Sequence, residues 1–166
     1  MPYYPNAYIA YLKEFHHTRD YFECHELLEE YWKEHPDSPH RTTWVGLIQV
    51  AVGSYHHRRG NILGAIKMLS SAVKQLRAED LTLLGIDAER FMMLLDSRIV
   101  QLRQQPDQPF IDLNIPVQDE QLRPYAKPIP GYAPDAYLID KHTLRDRSDV
   151  IAARAEQLAL RHSAKS

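Results

Sequence analysis

In the run YFECHELLEEYW, Tyr21–Trp32, His25 and Glu29 stand four residues apart, a spacing that stacks an imidazole over a carboxylate on one helix face. Such a pair can hold one divalent metal, and His56 from another helix could add a third ligand, leaving open positions for water. The same pair could serve a small-ligand pocket, with one member perturbed into an acid or base for hydrolysis. The spacing resembles the HExxH helix of zinc proteases, but Glu29 stands where that helix has its second histidine, and no further ligand motif follows. A di-iron bundle needs two Glu-x-x-His pairs on separate helices, and the helical body offers Glu14–His17 alone. Cys24 is the sole cysteine. It cannot form an internal disulfide, and inside an apolar pattern it reads as a small buried hydrophobe rather than a nucleophile. No nucleophile elbow, phosphate-cradling glycine loop or Ser-His-Asp arrangement can be assigned.

The helix carrying this pair also ranks its glutamates. A rotation of about 100° per residue, counted from Cys24, puts Trp32, His25 and Glu29 at about 80, 100 and 140°, beside Tyr21, Leu28 and Phe22. Glu26 falls at the rim of that face, while Glu23, Glu30 and Glu34 fall on the solvent side. Farther along, Val45, Gly46, Gln49, Val52, Gly53, His56 and Gly60 share one stripe, so Gln49 and His56 also stand on a burying face. Buried polar groups are costly unless paired, which predicts that His25, Glu29, Gln49 and His56 meet as one cluster between helices, with Glu26 at its edge. A hydrogen-bonded network that fixes helix pairing is preferred over a metal site, and both over a small-ligand pocket. In HHRRGN, His56–Asn61, a phosphate site is weighed against a solvated helix end, and the latter is preferred. In FHHTRD, Phe15 is assigned to the core and His16, His17 and Arg19 to the surface. Trp32, Trp44, Tyr21 and Tyr31 read as core aromatics.

The elements that must position these residues follow from punctuation. No proline occurs between Arg41 and Gln105, whereas seven of the eleven lie between Pro106 and Pro134. A helical domain, 1–105, is therefore expected to precede an extended Pro-rich strap, 106–142, packed on the body, and a C-terminal helix, 143–166, striped by Ile151, Ala155 and Leu158. Asn6, Asp20, Ser38, Asn61 and Asp87 are candidate caps for five body helices, with Glu23 completing a capping box. A shift of 41 residues superimposes the second and fourth helices: Asp20 on Asn61, and Tyr21, Cys24, Leu28 and Tyr31 on Ile62, Ala65, Leu69 and Ala72. The second hairpin resembles a tetratricopeptide repeat at Gly53, Gly60, Ile62, Ala65, Leu69 and Ala72; the first has Arg19 where a glycine is expected. The fold class is all-α: two tetratricopeptide-like hairpins, a fifth helix, the strap and a terminal helix.

The combination of YFECHELLEEYW, GLIQVAVGSYHHRRGN and GAIKMLSSAVKQL resembles a bacterial and archaeal family known as domain of unknown function 309, over roughly Phe15–Leu102. The resemblance implies a small all-helical domain and no established activity. It carries over to His25, Glu26, Glu29, Trp32, Gly46, Gln49, His56, Gly60 and Asn61.

At 166 residues, 44% hydrophobic and 25% charged, the chain suits one soluble domain. A formal net charge of -2 gives no electrostatic reason to expect nucleic acid or an anionic membrane as partner. No run is apolar enough to span a bilayer and MPYYPNAY does not read as a signal peptide, so a cytoplasmic protein is expected. The preferred function is a non-catalytic interaction or scaffold module that binds a protein partner or another copy. The alternative is a metal- or small-ligand-binding protein, possibly hydrolytic, with a divalent metal at His25, Glu29 and His56.

Overall fold

The computed structural model describes residues 3–139. The described chain is all-α: α1 (Asn6–Lys13), running into a π-turn (Glu14–Thr18), then α2 (Tyr21–Glu34), α3 (Arg41–Arg58), α4 (Ile62–Gln75), α5 (Ala78–Leu83) and α6 (Ala88–Gln104). An extended strap follows, broken by one 3-10 turn (Glu120–Tyr125). Met1–Pro134 forms one compact unit, so the strap to that point belongs with the helices. A second unit, Asp135–Ser166, contributes α7 (Ala136–Ile139), capped by Asp135, whose Oδ1 accepts from Leu138 N at 2.9 Å. The C-terminal helix expected at 143–166 lies outside the described residues.

Three predicted caps form. Asp20 accepts from Glu23 N at 3.0 Å, Asn61 from Gly64 N at 3.1 Å and Asp87 from Arg90 N at 3.2 Å, each satisfying one orphan N–H of a first turn. Two do not. Pro5 occupies the N-cap of α1, so Asn6 is already helical, and the Ser38–Pro39 segment is a turn that delays α3 to Arg41. The 41-residue shift has a backbone counterpart. Asp20 (φ -83, ψ 80) and Asn61 (φ -82, ψ 78) have nearly the same geometry, and each follows a residue of positive φ, Arg19 (57) and Gly60 (84). Arg19 thus adopts the left-handed conformation that Gly60 adopts freely, at a cost of about 1–2 kcal/mol for a residue with a Cβ.

α3 runs through the middle of the body, packing on α2 at one side and α4 at the other, while α6 packs on α4 and α5. α4 approaches α3 at two glycines. A Cβ on Gly46 would stand 2.6 Å from Leu76 Cδ2, and one on Gly53 would stand 2.8 Å from Leu69 Cγ. The core holds Tyr8, Tyr11, Phe15, Tyr21, Leu28, Trp44, Leu47, Leu69, Leu81, Ile86 and Phe91, all essentially without exposure. Buried hydroxyls in it reach backbone carbonyls: Tyr8 donates to Leu84 O at 2.6 Å and Tyr11 to Leu47 O at 2.7 Å.

Helix α5 is an addition to the five body helices expected. It is only six residues long and lacks a side-chain cap, so it carries little periodic signal. Tertiary contacts hold it: buried Asp80 accepts from Thr43 Oγ1 at 2.8 Å and pairs with His40 Nδ1 at 2.9 Å. The strap contributes Leu113, Ile115 and Leu122 to the core and makes an isolated antiparallel bridge between Val117 and Ile86. Among the described residues no helix is long and apolar enough to cross a membrane.

Candidate functional site

Helix α2 buries Tyr21, Cys24 and Leu28 completely, which turns the next face, carrying His25 and Glu29, toward its flank. His25 Nε2 lies 2.6 Å from Glu29 Oε2, and Lys33 Nζ lies 3.1 Å from Glu29 Oε1. Both carboxylate oxygens are therefore engaged by partners on the same helix, one turn to either side. The His25 and Glu29 side chains keep 21% and 34% exposure, so this is a partly wet ladder rather than a core element. Glu26, Glu30 and Glu34 are exposed and Glu23 is half-buried. Trp32 continues the face: the Arg41 guanidinium lies 4.4 Å from its ring centre and donates to its carbonyl at 3.4 Å.

Of the expected four-residue cluster, the His25–Glu29 pair is seen directly. Gln49 Oε1 is buried and makes no hydrogen bond among the described residues, so it accepts from neither histidine. His56 stands about two turns farther along α3, where its Nδ1 meets Asn61 Nδ2 at 3.3 Å across the helix end. His25 and Glu29 meet within α2, because an i,i+4 contact needs no cross-helix alignment. Among the described residues no three His, Cys, Asp or Glu side chains converge as a metal would require, so His25, Glu29 and His56 do not form the ligand triad drawn from the sequence. Further buried polar atoms that make no hydrogen bond among the described residues include Trp32 Nε1 on α2 and Ser70 Oγ on α4. With Gln49 Oε1, each of the three successive helices α2, α3 and α4 carries at least one such group.

A second polar assembly was assigned to the surface by sequence and is buried instead. His16 has no exposure, Arg19 5% and His57 4%. The strap covers them, and helical periodicity on the body carries no information about its path. His16 Nδ1 donates to Leu12 O at 2.8 Å, and its Nε2 accepts from Ile115 N at 2.9 Å, which fixes the neutral Nδ1–H tautomer. Burial lowers its pKa to about 4. His57 is likewise lowered to about 4, by burial first and then by Arg98, whose Nη1 lies 3.2 Å from His57 Nδ1. Arg19 donates to Phe15 O and Leu113 O at 3.2 Å each and to Asn114 Oδ1 at 2.7 Å, which holds it in its left-handed conformation. Arg58 lies 4.4 Å over the Tyr21 ring and donates to Arg19 O at 2.8 Å, while its Nε and Nη2 are buried with no hydrogen bond. The signal that could have found this assembly is the apolar spacing in PFIDLNIP, where Phe110, Leu113 and Ile115 mark the stretch that packs down.

The all-helical body and the His25–Glu29–Trp32 face of α2 define the class. The chain belongs to the family described as Domain of unknown function (DUF309), whose model matches residues 8–68. It is similar to the uncharacterized protein YpuF of Bacillus subtilis (strain 168), 41% identical over 174 residues that cover 98% of this chain and 99% of that protein. No solved structure matches.

Proposed function

We propose that the protein is a non-catalytic interaction module whose α2–α3 face receives a peptide segment of a partner protein or of a second copy. The observation that carries this reading is the pair of unfilled buried groups, the Trp32 Nε1–H donor and the Gln49 Oε1 acceptor. A buried donor or acceptor left without a partner costs about 1–3 kcal/mol, a cost that binding would recover. One donor and one acceptor complement the C=O and N–H of a peptide group. The state of Glu29 supports a binding role over catalysis, since His25 and Lys33 each already engage one of its two oxygens.

Photo-crosslinking in cells tests it. A benzophenone amino acid at Glu26, exposed beside the face, is expected to give a discrete protein adduct whose yield falls at least about tenfold with Gln49→Met, the loss of roughly one well-made hydrogen bond. An adduct of undiminished yield in Gln49→Met, or none in cells where the protein is abundant, would contradict the proposal.

A further inference from the structure

A crevice of about 410 Å³ opens between α6 and the strap, on a different part of the body from the α2–α3 face. Arg90, Ser97, Arg98 and Gln101 of α6 line one wall, and Asp112 and Asn114 of the strap line the other. Its volume is that of a small-metabolite site.

The charge arrangement behind the crevice is unbalanced. Arg19, Arg58 and Arg98 are all at least half-buried around the strap, and Asp112 is the carboxylate common to them. Asp112 is already committed: Oδ1 accepts from Tyr21 OH at 2.8 Å, and Oδ2 lies 3.6 Å from Arg19 Nε. Asp20 adds negative potential at Arg58. Arg98 spends two of its five N–H groups on neutral acceptors, the His57 ring at 3.2 Å and Ile111 O at 2.8 Å, and its ring contact is with Phe110. Burial lowers the pKa of both Arg98 and Arg58, the direction expected of cations whose desolvation the surrounding carboxylates do not offset. Arg90, exposed at the crevice mouth, makes no ion pair or side-chain hydrogen bond among the described residues. Asn114 keeps its amide N–H groups for a ligand, because Arg19 uses only its oxygen.

We propose that this crevice binds a small oxyanion ligand, a phosphate or carboxylate group held by Arg98 and Arg90, with Asn114 and Gln101 as neutral donors. The planar guanidinium fork suits either oxyanion, and the His57 ring and Ile111 O hold Arg98 in place in the crevice wall. Apolar Leu94, Leu113 and Pro116 complete the walls and favour a ligand with a short carbon skeleton.

The test is thermal unfolding of the full chain at fixed ionic strength, with sodium chloride replaced stepwise by inorganic phosphate or by succinate. Saturable stabilisation by one of the two is expected, which also tells the phosphate source from the carboxylate source. The apparent Kd should rise about tenfold in Arg90→Ala, a loss of about 1.4 kcal/mol in binding, while the Tm without ligand stays at the wild-type value. Arg98→Lys, which keeps the charge and removes the fork, should weaken binding further. Stabilisation that never saturates, or equal stabilisation of Arg90→Ala, would identify a general salt effect and overturn the proposal; so would no stabilisation by either anion.

Discussion

Acidification from pH 7 to pH 4.5 is expected to destabilise the protein by about 2–3 kcal/mol through His16 alone, with His57 acting in the same direction. The folded chain holds His16 neutral, with a pKa near 4, against 6.5 for a free imidazole. Between those values the unfolded chain binds a proton that the folded chain refuses, so stability is complete above about pH 6.5 and falls as the pH drops toward 4. The geometry supplies the cause: Nε2 accepts from Ile115 N–H, so a proton placed there would confront another donor in a site with no exposure. Because that bond ties the strap to the end of α1, the loss should be felt at residues 110–115 as well as at the histidine. Urea unfolding at half-unit pH steps checks the window, and His16→Asn should flatten the slope while lowering stability at pH 7. A wild-type midpoint that stays level from pH 6.5 to 4.5 would show that His16 does not carry the effect.

Gly46→Val is expected to cost about 3 kcal/mol, and Gly46→Ala about 1 kcal/mol, in urea or thermal unfolding at pH 7. On an exposed helix, Gly→Ala stabilises by about 1 kcal/mol, so the sign of the change is diagnostic. At Gly46 the new Cβ would meet Leu76 Cδ2 at 2.6 Å, Cγ at 2.7 Å and the backbone N at 3.2 Å, and a side chain packed on the body cannot retreat from all three. Overpacking of about 1–3 kcal/mol outweighs the propensity gain, and Val adds β-branching to it. Gly53 faces Leu69 in the same way two turns on, about 10 Å along the helix, so the effects of the two sites should add. A Gly46→Ala variant more stable than wild type would mean that α3 and α4 are not held at this approach.

What the sequence made legible is what acts over three or four residues. Asp20, Asn61 and Asp87 each precede an apolar repeat and were identifiable as caps from that alone, and the 41-residue correspondence extends to the backbone angles of Asp20 and Asn61. The His25–Glu29 pairing follows from the same short-range geometry. What depends on distant chain is not legible in this way. His16, Arg19 and His57 sit on helix ends that look solvated until the strap, 99 residues beyond His16 at Ile115 and 94 beyond Arg19 at Leu113, is laid across them. A burying face demands partners for Gln49, and its Oε1 finds none among the described residues. Helix α5 leaves little trace in the sequence because its stability comes from Asp80, Thr43 and His40, not from its own period.

The proposal that the α2–α3 face is built for a partner rests on Gln49 Oε1 being buried and unfilled in the free protein. The unfolding free energy of Gln49→Met, compared with wild type in urea at pH 7, measures this directly. Methionine keeps the length and flexibility of the side chain and removes the amide, so an unfilled acceptor predicts a variant that is equally stable or up to about 1 kcal/mol more stable. A loss of about 1–3 kcal/mol would mean that the Gln49 amide already serves an internal network, and would contradict the binding account.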